Sequence, residues 1–204
     1  MTKIVKIALV TAGLALVSMP AAAYEKGDWL VRVGGGMVDP KSDNGDIVSV
    51  DSGSTLIFNG EYFVTPTLGF EVLAALPFSH DIHDPTGVVK LAETKHLPPV
   101  FSLNYHFPTD GGFKPYLGAG LNYTLFFDEK TEQTVLPDTT LSLDGSFGLA
   151  VQVGADIDLS DTMFLNLAVR WADIDTDASI PEADLAFDVE IDPVVYSLAL
   201  GWRF

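Results

Sequence analysis

The sequence contains no cysteine, so no disulfide bond contributes to the fold of this chain of 204 residues. Basic residues are also scarce, because 11 Lys and Arg stand against 28 Asp and Glu, a formal net charge of −17. Nucleic acid is therefore excluded as a partner, since phosphate backbones require clusters of Lys and Arg. After the N-terminal segment no apolar run is long enough for a membrane helix, which takes about 20 residues.

Catalytic signatures are missing as well. The sequence has neither a G-x-S-x-G elbow nor an H-E-x-x-H zinc motif. Ser79, His80 and Asp81 are adjacent, but a catalytic triad is an arrangement in space and adjacency does not establish one. His80 and His83 are residue types that ligate metals, yet no closed set of ligands is visible around them. The sequence predicts no enzyme, no cofactor and no metal site.

The N-terminal segment has the three parts of a secretory signal peptide. Lys3 and Lys6 precede an apolar stretch over residues 7–17, and Ala21, Ala22 and Ala23 offer a cleavage site. We therefore predict that residues 1–23 are removed and that residues 24–204 form one exported domain. Tyr24 rather than Cys follows the cut, which argues against a lipoprotein anchor.

The last stretch of the chain is a strand with one bulky apolar face. Its alternate positions carry Tyr196, Leu198, Leu200, Trp202 and Phe204, and the positions between them are small or polar. The chain stops on this apolar face, so no later element can cover it. A closed barrel in lipid resolves the problem, because the apolar face meets hydrocarbon and the small face lines the lumen. The alternative is an edge strand of a soluble sandwich. A terminal aromatic strand also resembles the signal that the outer-membrane barrel assembly machinery recognises.

The same alternation recurs along the chain. It predicts eight strands, over residues 28–38, 55–63, 68–76, 98–107, 115–127, 143–157, 163–171 and 194–204. Three short turns alternate with long loops over residues 39–54, 77–97, 128–140 and 173–192. We therefore predict an all-β fold, an eight-stranded antiparallel transmembrane β-barrel in outer-membrane lipid. Short turns and both termini would be periplasmic and long loops extracellular. A closed barrel has no free strand edge, which favours a monomer.

Several segments resemble the OmpW family of small Gram-negative outer-membrane proteins, which includes the alkane-uptake porin AlkL. The resemblance covers essentially the whole predicted mature chain and is carried by residues 69–78, 96–99, 114–128, 152–154, 173–176 and 192–204. It implies an eight-stranded barrel with a narrow apolar interior path. Small hydrophobic molecules would follow this path and leave through a lateral opening in the barrel wall.

The inward positions of the predicted strands carry charges of both signs. Eight strands enclose a lumen that side chains can fill, and buried charges require partners. We therefore expect an internal hydrogen-bonded network rather than a water-filled pore. Its predicted members are Arg32, Glu61, Glu71, Asn104, Gln152, Asn166, Arg170 and Arg203.

Apolar inward positions near the long loops are the candidates for a path. Leu73, Ala75, Phe78 and Phe126 have no lipid to face there, so they line either an apolar channel or an ordinary packed core. Pro98 and Pro99 open a strand without donating hydrogen bonds, which suits a lateral opening but equally a plain strand start. The acidic loops leave another function open, that of a surface receptor or adhesin.

Overall fold

The chain folds into a closed antiparallel β-barrel whose strands continue past the barrel at one end. The computed structural model describes residues 24–41 and 48–204. The predicted signal peptide, residues 1–23, and part of the first predicted loop lie outside these residues. The strands are β1 (Trp29–Asp39), β2 (Ser49–Val50), β3 (Gly53–Thr65), β4 (Leu68–Ala75), β5 (Phe78–His83), β6 (Lys90–Leu97), β7 (Val100–His106), β8 (Phe113–Thr131), β9 (Ser142–Leu143), β10 (Ser146–Asp158), β11 (Met163–Ala172), β12 (Asp175–Ile180), β13 (Leu185–Glu190) and β14 (Val194–Arg203), with a 3₁₀ turn at Pro181–Ala183.

Eight of these strands close the barrel, as the sequence predicted. Each pairs antiparallel with the next in the order β1, β3, β4, β7, β8, β10, β11 and β14, and β14 returns to β1. The first and last strands are also joined at their ends. The amide of Trp29 donates to the Phe204 carbonyl at 3.0 Å, and the Phe204 amide donates to the Trp29 carbonyl at 2.9 Å. The closed ladder satisfies the backbone groups, as hydrocarbon requires.

Successive side chains in each barrel strand face lipid and lumen in turn. On β7, Phe101 and Leu103 are about half exposed, whereas Ser102 and Asn104 are buried. The last strand follows the same rule: Tyr196, Leu198, Leu200 and Phe204 are exposed and Trp202 is half-buried. The role of this row as an assembly signal stays a prediction. Among residues 24–41 and 48–204, no helix is long and apolar enough to cross a membrane.

All four of the predicted long loops contain strand residues, which corrects the sequence-based assignment. The loop predicted over residues 128–140 begins within β8, which runs to Thr131. Residues 77–97 form the β5–β6 hairpin, and residues 173–192 form the β12–β13 hairpin. The loop predicted over residues 39–54 contains β2 and the start of β3. The composition of these segments is polar because their outward positions carry charged residues, while their inward positions continue the apolar alternation. The barrel therefore rises past the membrane-spanning part as two separate sheets, β2-β5-β6-β8 and β9-β12-β13.

The two ends of the barrel are built differently. At the end with the short turns, here called the turn end, Tyr24, Leu30, Phe63 and Phe164 pack together inside the lumen. At the opposite end, here called the hairpin end, buried apolar residues of the barrel continue into those of the two sheets, from Leu73 through to Ile191. Polar residues fill the interior between these two apolar layers.

Candidate functional site

The middle of the barrel is filled by a charged network, here called the plug, with Arg32 at its centre. The Arg32 guanidinium donates to Glu61 at 2.8 Å, to Glu71 at 3.3 Å and to Asp156 at 2.9 Å. All four side chains are at most 1% exposed. Buried charges persist only when they are paired in this way. The strands β1, β3, β4 and β10 are thus joined through one side chain.

Arg170 supplies the second cation of the plug. It donates to Glu71 at 3.0 Å and also to Gln152, which itself donates to Glu71 at 2.9 Å. Asn104 and His106 complete the network by donating to Glu61 at 3.0 Å and 2.8 Å. Because these side chains pack between the strands, the plug formed by the described residues leaves no space for a water-filled pore along the barrel axis.

Two glycines make room for the plug. A Cβ added at Gly69 would collide with the Glu61 carboxylate, and one at Gly118 would collide with Asn104 and Gln152. The sequence has glycine at these inward positions because any side chain would occupy the volume of the network. Glycine at position 118 of β8 is therefore a packing requirement of the lumen.

Two predicted members of the network occupy its turn-end side. Asn166 donates to Asp156 at 2.8 Å and so belongs to the plug. Arg203 instead donates to Asp158 at 3.2 Å and lies over the Tyr24 ring, apart from Arg32. Tyr24 was missed by the sequence-based reading, because it precedes the first strand and carries no local pattern. Its hydroxyl donates to Asp156 at 2.7 Å and its ring stacks on Phe63.

Above the plug, at the hairpin end, the two sheets enclose an apolar cavity of about 240 Å³, here called the vestibule. One wall comes from β2, β5, β6 and β8 and the other from β9, β12 and β13. Its lining is almost entirely aliphatic and aromatic: Val48, Val50, Ile82, Leu91, Ala92, Phe126, Leu136, Leu141, Leu143, Ala178, Ile180, Leu185, Phe187, Val189 and Ile191. Thr94, Thr131, Thr176, His80 and His96 provide its polar atoms.

Two histidines stack in the vestibule wall. His80 on β5 and His96 on β6 lie 4.9 Å apart between ring centroids, at an interplanar angle of 8°. Phe78 stacks on His96 at 5.3 Å. Burial lowers the pKa of His80, and burial together with the neighbouring His80 ring lowers the pKa of His96 to about 3. Both rings are therefore neutral at physiological pH and contribute to an apolar wall.

A second, smaller cavity of about 30 Å³ lies below the vestibule. Leu73, Phe78 and Pro98 line it, and Arg170 contributes to its lining from the plug side. Phe78 and His96 separate its space from the vestibule, since His96 lines both cavities. Of the predicted path residues, Phe126 lines the vestibule and Leu73 and Phe78 line the smaller cavity. Ala75 lines neither and packs beside them against Val38, Ile57 and Phe78.

The barrel wall beside the smaller cavity has an interrupted ladder, here called the seam. Pairing of β4 with β7 ends at Leu73 and Val100, and pairing of β5 with β6 begins at Phe78 and His96. Across the gap the register shifts by one residue, and no strand pairing joins residues 74–77 to residues 97–99. Pro77, Pro98 and Pro99 lie in the seam and have no N–H to donate. On the opposite side of residues 97–99 the pairing with β8 is intact, because the amide of Tyr123 donates to the Pro99 carbonyl at 3.1 Å.

Most of the vestibule lining was missed by the sequence-based reading. A signal was nevertheless present, because residues 174–180 and 187–191 place Ile174, Thr176, Ala178 and Ile180 and then Phe187, Val189 and Ile191 at alternate positions. Acidic residues between them dominated the composition and suggested a loop. A set of three possible metal ligands, Asp173, Asp175 and Asp192, occurs in the same region. These exposed or half-buried carboxylates were not predicted as a site.

Comparison with known proteins identifies the family. The sequence profile of the OmpW family matches residues 25–204. The chain belongs to the OmpW family. It is 42% identical to outer membrane protein W of Vibrio cholerae, over 93% of this chain and 94% of that protein. It is 27% identical to the dibenzothiophene metabolism operon protein PahQ of Pseudomonas aeruginosa, over 85% of this chain and 77% of that protein.

The fold of this OmpW-family chain matches a solved relative. The crystal structure of the outer membrane protein OprG from Pseudomonas aeruginosa superposes with a TM-score of 0.79 and is 35% identical, covering 89% of this chain and 97% of that one. The predicted resemblance and fold class are therefore confirmed, and the chain is an outer-membrane β-barrel of this family.

Proposed function

We propose that the barrel gives small hydrophobic molecules a passive path from the vestibule through the seam into the outer membrane. The observation that carries this proposal is the position of an apolar cavity directly above a fully packed charged plug. An apolar solute that enters the vestibule cannot continue along the barrel axis, because Arg32, Glu61 and Glu71 occupy it. The remaining route for the solute is sideways, through the barrel wall.

The seam offers that sideways route. The smaller cavity lies behind it and is lined by Phe78 and Pro98. Opening the seam breaks few backbone hydrogen bonds, because Pro77 and Pro98 lack the donors that would close it. A solute leaving here passes from one apolar environment to another, so no step requires its hydration. Passive movement down a concentration gradient needs no cofactor or catalytic group.

The direction of transport depends on the orientation of the barrel. In bacterial barrels short turns lie in the periplasm and long connections lie outside. By this rule the turn end and both termini are periplasmic, and the vestibule faces the extracellular medium. The relationship to a protein named for dibenzothiophene metabolism also supports an apolar solute.

The proposal is tested by uptake of n-octane into cells that lack the protein, carry it, or carry variants at equal surface level. Ala178→Trp fills the vestibule, where Ala178 is buried, and should abolish most of the protein-dependent uptake. Ala119→Trp places the same side chain on the lipid-facing side of β8, away from the seam, and should preserve it. Equal uptake by cells with and without the protein would refute the proposed path.

The seam is tested separately. Replacing Pro98 with valine supplies an amide donor to the gap and should slow uptake. Pro137→Val, in an exposed loop, is the matched control. Unchanged uptake in the seam variant, together with loss in Ala178→Trp, would place the exit elsewhere in the wall.

A further inference from the structure

His80 occupies an unusual position in the vestibule. It is 3% exposed and lines a cavity whose wall is otherwise almost wholly apolar. One side of its ring is anchored, because Nδ1 lies 2.6 Å from the backbone carbonyl oxygen of Asp51. One face stacks on His96. The ring is thus held in one orientation by two independent contacts.

The contact with the Asp51 carbonyl determines which ring nitrogen of His80 carries the proton. A carbonyl oxygen only accepts hydrogen bonds, so Nδ1 must be the protonated nitrogen of the neutral ring. Nε2 then presents a lone pair. This atom is buried and has no hydrogen-bond partner. A buried acceptor without a donor is costly, so a ligand that supplies the donor gains affinity.

The threonine hydroxyls of the wall are already engaged. The hydroxyl of Thr131 donates to the Thr139 carbonyl at 2.6 Å, and that of Thr176 donates to the Asp144 carbonyl at 2.6 Å. The Thr94 hydroxyl makes a longer contact of 3.5 Å with the Lys95 carbonyl. Among the described residues that line the vestibule, the buried polar atom without a partner is therefore Nε2 of His80.

The charged residues in and around the vestibule further restrict the class of ligand that can bind there. Among residues 24–41 and 48–204, no Lys or Arg lines the vestibule, so a carboxylate would be buried there without a counterion from these residues. The cleft beside β12 and β13 is bordered by Asp144, Asp175, Asp177, Asp188 and Glu190. These carboxylates repel an anionic solute on this side of the vestibule. They do not repel a neutral solute.

We propose that the solute preferred by the vestibule is a small neutral apolar molecule with one O–H or N–H donor, such as a phenol, which hydrogen-bonds to Nε2 of His80. This inference rests on the proposed function and names the substrate class of the same cavity. A pure hydrocarbon fills the same space but leaves Nε2 without a donor. Discrimination between the two is therefore set at His80.

The test compares 4-methylphenol with p-xylene, which differ by a hydroxyl in place of a methyl group. Binding of each is measured by equilibrium dialysis against the protein in lipid nanodiscs, after subtraction of partitioning into empty nanodiscs. His80→Asn keeps an amide donor close to the Asp51 carbonyl and removes the Nε2 acceptor. The ratio of the 4-methylphenol to the p-xylene association constant should fall about tenfold in this variant, the value of one hydrogen bond. His83→Asn, on the same strand but outside the vestibule, should leave the ratio at the wild-type value.

The outcomes separate the two proposals. An unchanged ratio in His80→Asn, with p-xylene still bound by the wild type, overturns the role of His80 and leaves the apolar path intact. Failure of the wild-type protein to bind either compound above empty nanodiscs overturns both. Should His80→Asn fail to fold, ¹⁵N NMR of the wild type decides the question. The Nε2 resonance of His80 should shift with 4-methylphenol and not with p-xylene, and equal spectra with both would overturn the inference.

Discussion

Arg32 on β1 and Asp156 on β10 meet inside the barrel through two parallel hydrogen bonds, Nη2 to Oδ2 at 2.9 Å and Nε to Oδ1 at 3.3 Å. Their strands are not neighbours, because β14 and β11 lie between them. The pair therefore braces the lumen across the barrel. It also holds Arg32 in position to neutralise Glu61 and Glu71.

Arg32→Met should destabilise the barrel strongly, because it leaves the Glu61, Glu71 and Asp156 carboxylates with one buried cation fewer. Breaking a buried ion pair on one side costs about 3–5 kcal/mol. The free energy of unfolding, measured by urea titration in lipid vesicles, gives the effect. Arg203→Met is the matched control, since the pair of Arg203 with Asp158 is partly exposed and worth about 0–1 kcal/mol. Equal losses in the two variants would show that the plug is not a stabilising network.

The position of the membrane is tested by placing arginine on the outer face at two heights. Leu121 faces outward from the middle of β8, between Phe101 and Leu149 of the neighbouring strands. Leu121→Arg should cost about 2–4 kcal/mol of unfolding free energy, as arginine does at the bilayer midplane. Ser79→Arg on β5 should cost little, because its outward neighbour Lys95 is already charged. A similar cost at both positions would place the β5–β6 hairpin in the membrane.

The stacked histidines predict a pH dependence of the hairpin end. The pKa values of His80 and His96 are lowered in the folded chain, the latter to about 3, so protons bind first to the unfolded hairpin. The stability that neutral His80 and His96 contribute is complete above the ordinary histidine pKa of about 6.5 and declines as the pH falls below it towards the folded values. Amide hydrogen exchange in β5 and β6, corrected for its intrinsic pH dependence, should therefore lose protection between pH 7.5 and pH 5.

A double variant provides the comparison for this prediction. Replacing both His80 and His96 with phenylalanine preserves two stacked rings and removes both titrating groups. Protection of β5 and β6 in that variant should not change between pH 7.5 and pH 5. An equal loss in the double variant would show that groups other than the two histidines cause the effect.

The sequence alone was sufficient for the number of barrel strands, the facing of their side chains and the presence of charged groups in the lumen. These properties follow from the alternation of side chains, which is a local pattern. A strand that faces lipid on one side has an apolar residue at every second position. Leu103 and Asn104 on β7, for example, could be assigned to opposite faces without knowledge of any partner strand.

Partners of the polar groups were decided only by the tertiary structure. Arg170 was predicted as a member of the network, but only the structure shows that its side chain reaches Glu71 and Gln152. The stack of His80 on His96 depends on the register of β5 against β6, where Phe78 pairs with His96. Neither relationship can be derived from spacing along the chain, because register and side-chain direction are set by closure of the barrel. The vestibule, too, exists only because two sheets from distant segments face each other.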